Sequence, residues 1–483
     1  MPLAGGLIFC FNSSLAEKQF LMFLLFTLGL VSVQAIVVFL CWGPGSAPLE
    51  GTRNYSLRPS WDYVLLVAIS GSALCLAQQD PHGHANELRN AATLLKNRQF
   101  PDAIGTYHKI LKADPHNEKA ELGLAAAYFG VYNYDQMRRL LREAAAAHPA
   151  SAAALVELGK LDIHLLHYDD AIVELKRAVR RRPGSAAAHE QLGVAYQAKG
   201  DEERALAQFN EAIRLAPDSG STHYFRGTLY ADHNDTERAY QDAKAAYRLE
   251  PNTQTREFLA KAALHGNKCD EAIGLLQSLA ESEGVDPTDL YLLSRAYECA
   301  GQDQRAQELQ NEYAKRSQSV QESKTRKMHA DHLAVDAGEL ARKNQLSPAL
   351  ALISQALAED PENGPALALQ AKIDFSRGKI SESRQAIESA LHADPYNPDY
   401  LYVLGKILEK QGETNHALDA FRTVTIVNPR ESDAYFEIGQ IYLQNGDRTR
   451  AVSALRTAVK YSPDDPDYRK ALQQAETSSR KSP

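Results

Sequence analysis

From residue 84 onward, apolar residues recur at helical spacing in short blocks, and the blocks come in pairs. The stretch 186–219, AAAHEQLGVAYQAKGDEERALAQFNEAIRLAPDS, shows the unit. Counting from Ala186, Leu192, Gly193 and Tyr196 stand at positions 7, 8 and 11, and Ala205, Phe209 and Ala212 at positions 20, 24 and 27. Gly200 lies between the two blocks, where a helix-ending residue belongs. Pro217 closes the unit at position 32. Proline lacks a backbone N–H and pushes the residue before it out of the helical region, so it ends one helix and sets the entry to the next. The pattern predicts two helices joined by a tight turn. Prolines recur every 34 residues at Pro115, Pro149, Pro183, Pro217 and Pro251, and again at Pro361, Pro395, Pro429 and Pro463.

The expected hairpins cover 84–117, 118–151, 152–185, 186–219, 220–252, 253–286, 287–320, 330–363, 364–397, 398–431 and 432–465. Between Pro251 and Pro361 the register slips, and the stretch KRSQSVQESKTRKMH is charged and poor in apolar residues. Residues 321–329 read as a linker or an extended helix end. They divide a first array of seven hairpins, 84–320, from a second of four, 330–465, before a capping helix and tail at 466–483.

Small residues fill two columns. Position 8 holds Gly159, Gly193, Gly227, Gly405 and Gly439, and position 20 holds Ala103, Ala171, Ala205, Ala239, Ala349, Ala417 and Ala451. They let paired helices approach closely, so a leucine at Gly193 is expected to strike Ala205 across the hairpin. Met137 and Ser383 at position 20, and Asp162 and Asp374 at position 11, depart from the pattern and predict less regular packing there. The agreement of period and columns resembles the tetratricopeptide repeat family over residues 84–477.

The resemblance implies an all-α fold: a right-handed superhelical solenoid of helix-turn-helix hairpins. It also implies a non-catalytic scaffold for protein–protein interaction, holding a partner peptide or helix in its concave groove. In that family the first helix of each hairpin lines the groove through positions 2, 5, 9 and 12. Those positions here include Phe129, Lys160, Tyr224, Tyr291, Arg295, Lys372, Phe375, Tyr402, Lys406 and Phe436. Aromatic and basic groups on one surface suit a peptide with apolar anchors and acidic or backbone acceptors. Packing between hairpins is the other use for these aromatics. A clamp for a terminal carboxylate, which some relatives build from lysine and asparagine, is not expected, because position 9 holds Ala92, Ala126, Lys160, Val194 and Thr228.

Residues 1–79 differ. The run 20–42 carries no charge and would make a helix about 34 Å long, enough to span a bilayer. A second apolar run, 63–77, follows Arg53 and Arg58 and ends in small residues, like a secretory signal. Either both are membrane helices, or the second is a signal peptide behind a start assigned too early. Both readings place the repeats in a membrane-anchored or exported, extracytoplasmic body; a cytoplasmic body on a single anchor is the rival.

The net charge of -8 falls on the repeats, since Glu17, Glu50 and Asp62 cancel Lys18, Arg53 and Arg58. No nucleic-acid partner is expected, for that needs a basic face. No metal and no cofactor are expected: there is no CxxC pair, phosphate loop or nucleophile elbow. The histidine pairs His164/His167 and His329/His332 have no carboxylate or cysteine nearby that completes a four-ligand set, and read as solvated. Partners are therefore other proteins, together with the membrane through the N-terminal segment. The alternative function is an accessory subunit that docks a separate catalytic partner in an envelope enzyme complex. Cys269 and Cys299 fall at one end of neighbouring helices by their repeat positions, within reach of a disulfide if the body is exported. Two unrelated thiols remain the other reading, favoured by the register slip.

Overall fold

The computed structural model describes residues 84–280 and 286–477. The described residues all belong to one compact unit. The apolar runs 20–42 and 63–77 lie outside the described residues. Among the described residues no helix is long and apolar enough to cross a membrane.

Those residues form helices and no strands. The first six hairpins pair α1 (Ala85–Lys96) with α2 (Phe100–Ala113), α3 (Glu118–Gly130) with α4 (Tyr134–Ala147), α5 (Ala153–His164) with α6 (Tyr168–Arg181), α7 (Ala186–Ala198) with α8 (Glu202–Leu215), α9 (Gly220–Asp232) with α10 (Thr236–Leu249), and α11 (Thr253–His265) with α12 (Cys269–Ala280). In the seventh, α13 (Pro287–Cys299) packs on α14 (Asp303–Arg342). This 40-residue helix continues into the eighth hairpin, where α15 (Leu346–Glu359) folds back on it. There follow α16 (Gly364–Ser376) with α17 (Ile380–Ala393), α18 (Pro398–Lys410) with α19 (Thr414–Val427), α20 (Ser432–Gln444) with α21 (Arg448–Tyr461), and the closing helix α22 (Pro466–Thr477). The charged segment 321–329 is thus helix inside α14, not a linker.

The prolines act as their chemistry requires. Asp114, His148, Arg182, Ala216 and Glu250 are the C-caps of the second helices, each directly before a proline of the 34-residue series. The next helix is then started by a side-chain cap at Asn117, Ser185, Ser219 or Asn252, whose oxygen accepts a free first-turn N–H.

Every turn within a hairpin places position 15 in the left-handed region. In the later hairpins this residue is Gly200, Asn234, Asn267, Gly301, Asn344, Gly378, Gly412 or Gly446, but in the first three it is Arg98, Tyr132 and Leu166. Those three hold φ near 60° with a full side chain, a conformation that costs about 1–2 kcal/mol each.

Two packing expectations change. A Cβ on Gly193 would meet Phe209 Cε1 at 2.6 Å, so the aromatic at position 24, not Ala205, is what the glycine accommodates. The four departures from the pattern, Met137, Asp162, Asp374 and Ser383, are all buried in the stack. Met137 and Ser383 are fully buried, and the Ser383 hydroxyl donates to Ala371 O at 2.7 Å. Asp162 is buried beside the Arg138 guanidinium at 2.6 Å. Each of these two polar intruders brings its own partner, which offsets the cost of burying it.

The solenoid also meets itself. Phe100 packs on Tyr396 with ring centroids 5.5 Å apart, and the Tyr396 hydroxyl donates to Arg98 O. Asn133 Nδ2 donates to Ile426 O at 2.8 Å, and Ile426 and Val427 join the core of the first two hairpins. Hairpin 1 therefore touches hairpin 9, and hairpin 2 touches hairpin 10. One superhelical turn takes eight hairpins.

Candidate functional site

Two adjoining clefts open on the first helices of the second array. The first, about 360 Å³, is lined by Lys372 and Phe375 of α16, by Pro398, Asp399, Tyr402, Val403 and Lys406 of α18, and by Glu431 and Asp433 at the start of α20. The second, about 370 Å³, continues from Tyr402 and Asp433 through Phe436, Glu437 and Gln440 to Asp465, Asp467, Tyr468, Lys470, Ala471 and Gln474 around α22. Helical spacing explains the convergence. Residues three and four apart share a face, so Tyr402 and Lys406 on α18, or Phe436 and Gln440 on α20, point the same way, and stacking aligns these faces.

Five of the ten expected groove residues are brought together here: Lys372, Phe375, Tyr402, Lys406 and Phe436. The Lys372 side chain is exposed, and Phe375, Tyr402 and Phe436 are half-buried. Tyr402 packs on Phe421 at 5.5 Å and donates its hydroxyl to Glu437 Oε1 at 3.1 Å. Lys406 Nζ donates to Glu409 Oε2 and Glu437 Oε1, each at 2.9 Å. Phe436 stacks on Tyr468 at 4.8 Å, and the Tyr468 hydroxyl donates to Asp433 Oδ1.

The titrations follow this geometry. Burial raises the Tyr402 phenol, and the Glu437 carboxylate raises it further. Burial would lower the Lys406 ammonium, but its hydrogen bonds to Glu409 and Glu437 outweigh that and raise it. Glu431 is raised by burial and then by the like charges of Asp433 and Asp399.

The other five groove candidates lie elsewhere. Phe129 is a correction: it is 1% exposed and packed against Tyr134 and His164, in the core between hairpins 2 and 3. Lys160 is mostly covered and ion-paired with Glu157 at 2.8 Å, so it is no free groove cation. Arg295 is exposed but lies 3.3 Å from Glu298. Tyr224 is half-buried against Phe258, and Tyr291 is exposed beside Tyr313. His164 is likewise not solvated: it packs on Phe129 and bonds the Tyr134 hydroxyl at 3.2 Å.

Sequence reasoning missed the contribution of α22, read only as a cap, and the acids at position 2. The signal was present: Asp399, Asp433 and Asp467 recur every 34 residues. Among the described residues no group of three potential ligands could hold a metal ion. Cys269 and Cys299 are joined as a disulfide, with Cα atoms 5.6 Å apart, between the first residue of α12 and the last of α13.

A stack of helical hairpins presenting clefts along its first helices belongs to the class of solenoid interaction scaffolds. Models of the tetratricopeptide repeat match residues 165–220 and 402–466, and a second such model matches 340–407. The chain thus carries tetratricopeptide repeats. Such repeats mark a scaffold for protein–protein interaction, in a family that is generally non-catalytic. No curated protein matches the chain. Among solved structures, MamA is 25% identical over 33% of this chain and 94% of its own, with a TM-score of 0.29. TTC0263, a thermophilic tetratricopeptide-repeat protein of Thermus thermophilus, is 27% identical over 38% and 98%, at 0.31. The Cut9–Hcn1 hetero-tetramer of APC/C is 12% identical over 85% and 98%, at 0.30.

Proposed function

We propose that the chain is a non-catalytic scaffold that holds a segment of another protein in the clefts of hairpins 9 to 11, with its body anchored at or exported across a membrane. The observation that carries the binding site is the continuous pair of clefts from Lys372 to Gln474, walled by Phe375, Tyr402 and Phe436. Aromatic anchors in concave, partly desolvated pockets are where binding energy concentrates. Two features support the location. The uncharged run 20–42 is long enough to span a bilayer. The Cys269–Cys299 disulfide suits an oxidising compartment, since such bridges rarely persist in a reducing cytosol.

The test is retention of natural partners by the full chain carrying Phe375→Ala and Phe436→Ala. Both side chains are only half-buried. The expected result is loss of partner at unchanged helicity; unchanged retention would move the binding face elsewhere. For location, protease protection of the repeats in intact cells that is lost in spheroplasts, once the outer barrier is opened, supports export. Digestion only after the inner membrane is breached contradicts it.

A further inference from the structure

We propose that the segment held in these clefts is cationic: an extended stretch of a partner protein bearing lysine or arginine at about every third residue. This rests on the reading of the clefts as the binding site and fixes the chemistry of what they take.

Position alone points the other way, because Lys372 and Lys406 stand on the groove face. The structure pairs off one of those two charges. Lys406 is held by Glu409 and Glu437, both at 2.9 Å, and so has little left to offer a ligand. Around the two clefts six carboxylates, Asp399, Glu431, Asp433, Glu437, Asp465 and Asp467, face three lysines. Asp399, Asp433 and Asp467 are exposed and recur every 34 residues, at position 2 of hairpins 10 and 11 and at the matching place on α22, forming a ladder along one edge of the groove. Burial raises the Glu431 carboxyl, and the like charges of Asp433 and Asp399 raise it further.

The aromatic walls fit the same ligand. Stacked Phe436 and Tyr468, with Tyr402 lining the same cleft, offer aromatic surface to a cation and apolar surface to its methylene stem. Spacing sets the period. Packed helices lie roughly 8–10 Å apart, and an extended chain advances about 3.3 Å per residue. One hairpin therefore corresponds to about three residues of partner.

The test uses the full chain and two labelled twelve-residue peptides, one with arginine at every third position and one with glutamate in its place, read by fluorescence anisotropy. The arginine peptide is expected to bind at least tenfold more tightly. Its affinity should fall at least fivefold in D399N/D467N, two exposed sites where the fold is not at stake, and should weaken as salt is raised. Equal binding of both peptides, tighter binding of the glutamate peptide, or indifference to D399N/D467N would overturn the cationic ligand. Retention of natural partners by the Phe375→Ala, Phe436→Ala chain would instead sink the clefts as a site. A second copy is the other occupant to test, because α14 carries exposed Lys324, Arg326 and Lys327. A concentration-dependent dimer abolished by reversing those three charges would replace the partner segment with this chain itself.

Discussion

The two arrays share one scaffold and use its groove face differently. In hairpins 1 to 3 the residues at positions 5, 9 and 12 are largely sealed: Leu88, Ala92, Leu95, Ala126, Phe129 and Val156 are all buried. In hairpins 10 and 11 the same columns hold Tyr402, Lys406 and Phe436, which line open clefts. The turns differ too, with strained Arg98, Tyr132 and Leu166 in the first array against Gly378, Gly412 and Gly446 in the second. The first three hairpins spend their groove face on packing, and the first two dock by their turn edge against hairpins 9 and 10. The second array leaves its groove face free. The columns that set the stack, positions 8, 20 and 24, are common to both, and the proposed binding residues stand in the columns where the two arrays differ.

The disulfide has no counterpart in the second array, and breaking it is the largest expected effect. Cys299→Ser opens a loop of sequence separation 30. It should destabilise the first array by about 3–4 kcal/mol in the chain-entropy model. Thermal melts with and without reductant check this: reductant should lower the wild-type midpoint and leave the variant's unmoved.

Gly193→Leu and Gly405→Leu ask whether the scaffold columns are truly shared. A Cβ would lie 2.6 Å from Phe209 in the first array and 2.5 Å from Phe421 in the second. Each substitution should cost about 1–3 kcal/mol by overpacking, measured by urea denaturation. A clear loss in one array and none in the other would show that the columns are not equivalent.

Asp289 gives the first array a pH dependence. Burial, with Glu257 and Asp286 nearby, pushes its carboxyl up to about 6 from an ordinary 3.8. A folded-state value raised above the unfolded one means the contribution to stability is full below about 4 and is lost as pH rises through about 6. Asp289→Asn should therefore stabilise at pH 7 by about 1–2 kcal/mol and have little effect near pH 4. Denaturation midpoints across that range decide it.

The smallest effect exchanges the turns. Leu166→Gly should stabilise by about 1 kcal/mol, and Gly412→Leu should destabilise by a similar amount, since only the former relieves a left-handed side chain. Equal and opposite shifts in the melting curves are expected. A destabilising Leu166→Gly would mean that the leucine makes a contact of its own.

The helices, the 34-residue register and the small columns were legible because each hairpin repeats the same local chemistry. The groove was legible as a face but not in its charge. Phe129 and Phe375 both occupy position 12, yet one is sealed in the core and the other lines a cleft. What separates them is the neighbour each meets, Tyr134 and His164 for Phe129, which lie outside its own helix. Lys406 read as a groove cation because Glu437, its partner from the next hairpin, stands 31 residues away. The contact between hairpins 1 and 9 joins residues 298 apart, at Tyr396 and Arg98, and depends on superhelical pitch, which no repeat carries by itself.

The central claim is that the second array binds and the first three hairpins do not, and photo-crosslinking in cells tests it most directly. A photoreactive residue is placed at Gln440, inside the second cleft, or at Lys119, at groove position 2 of hairpin 2, in otherwise identical full-length chains. A discrete crosslinked partner is expected from Gln440 and none from Lys119. The same partner captured from Lys119, with nothing from Gln440, would contradict the account.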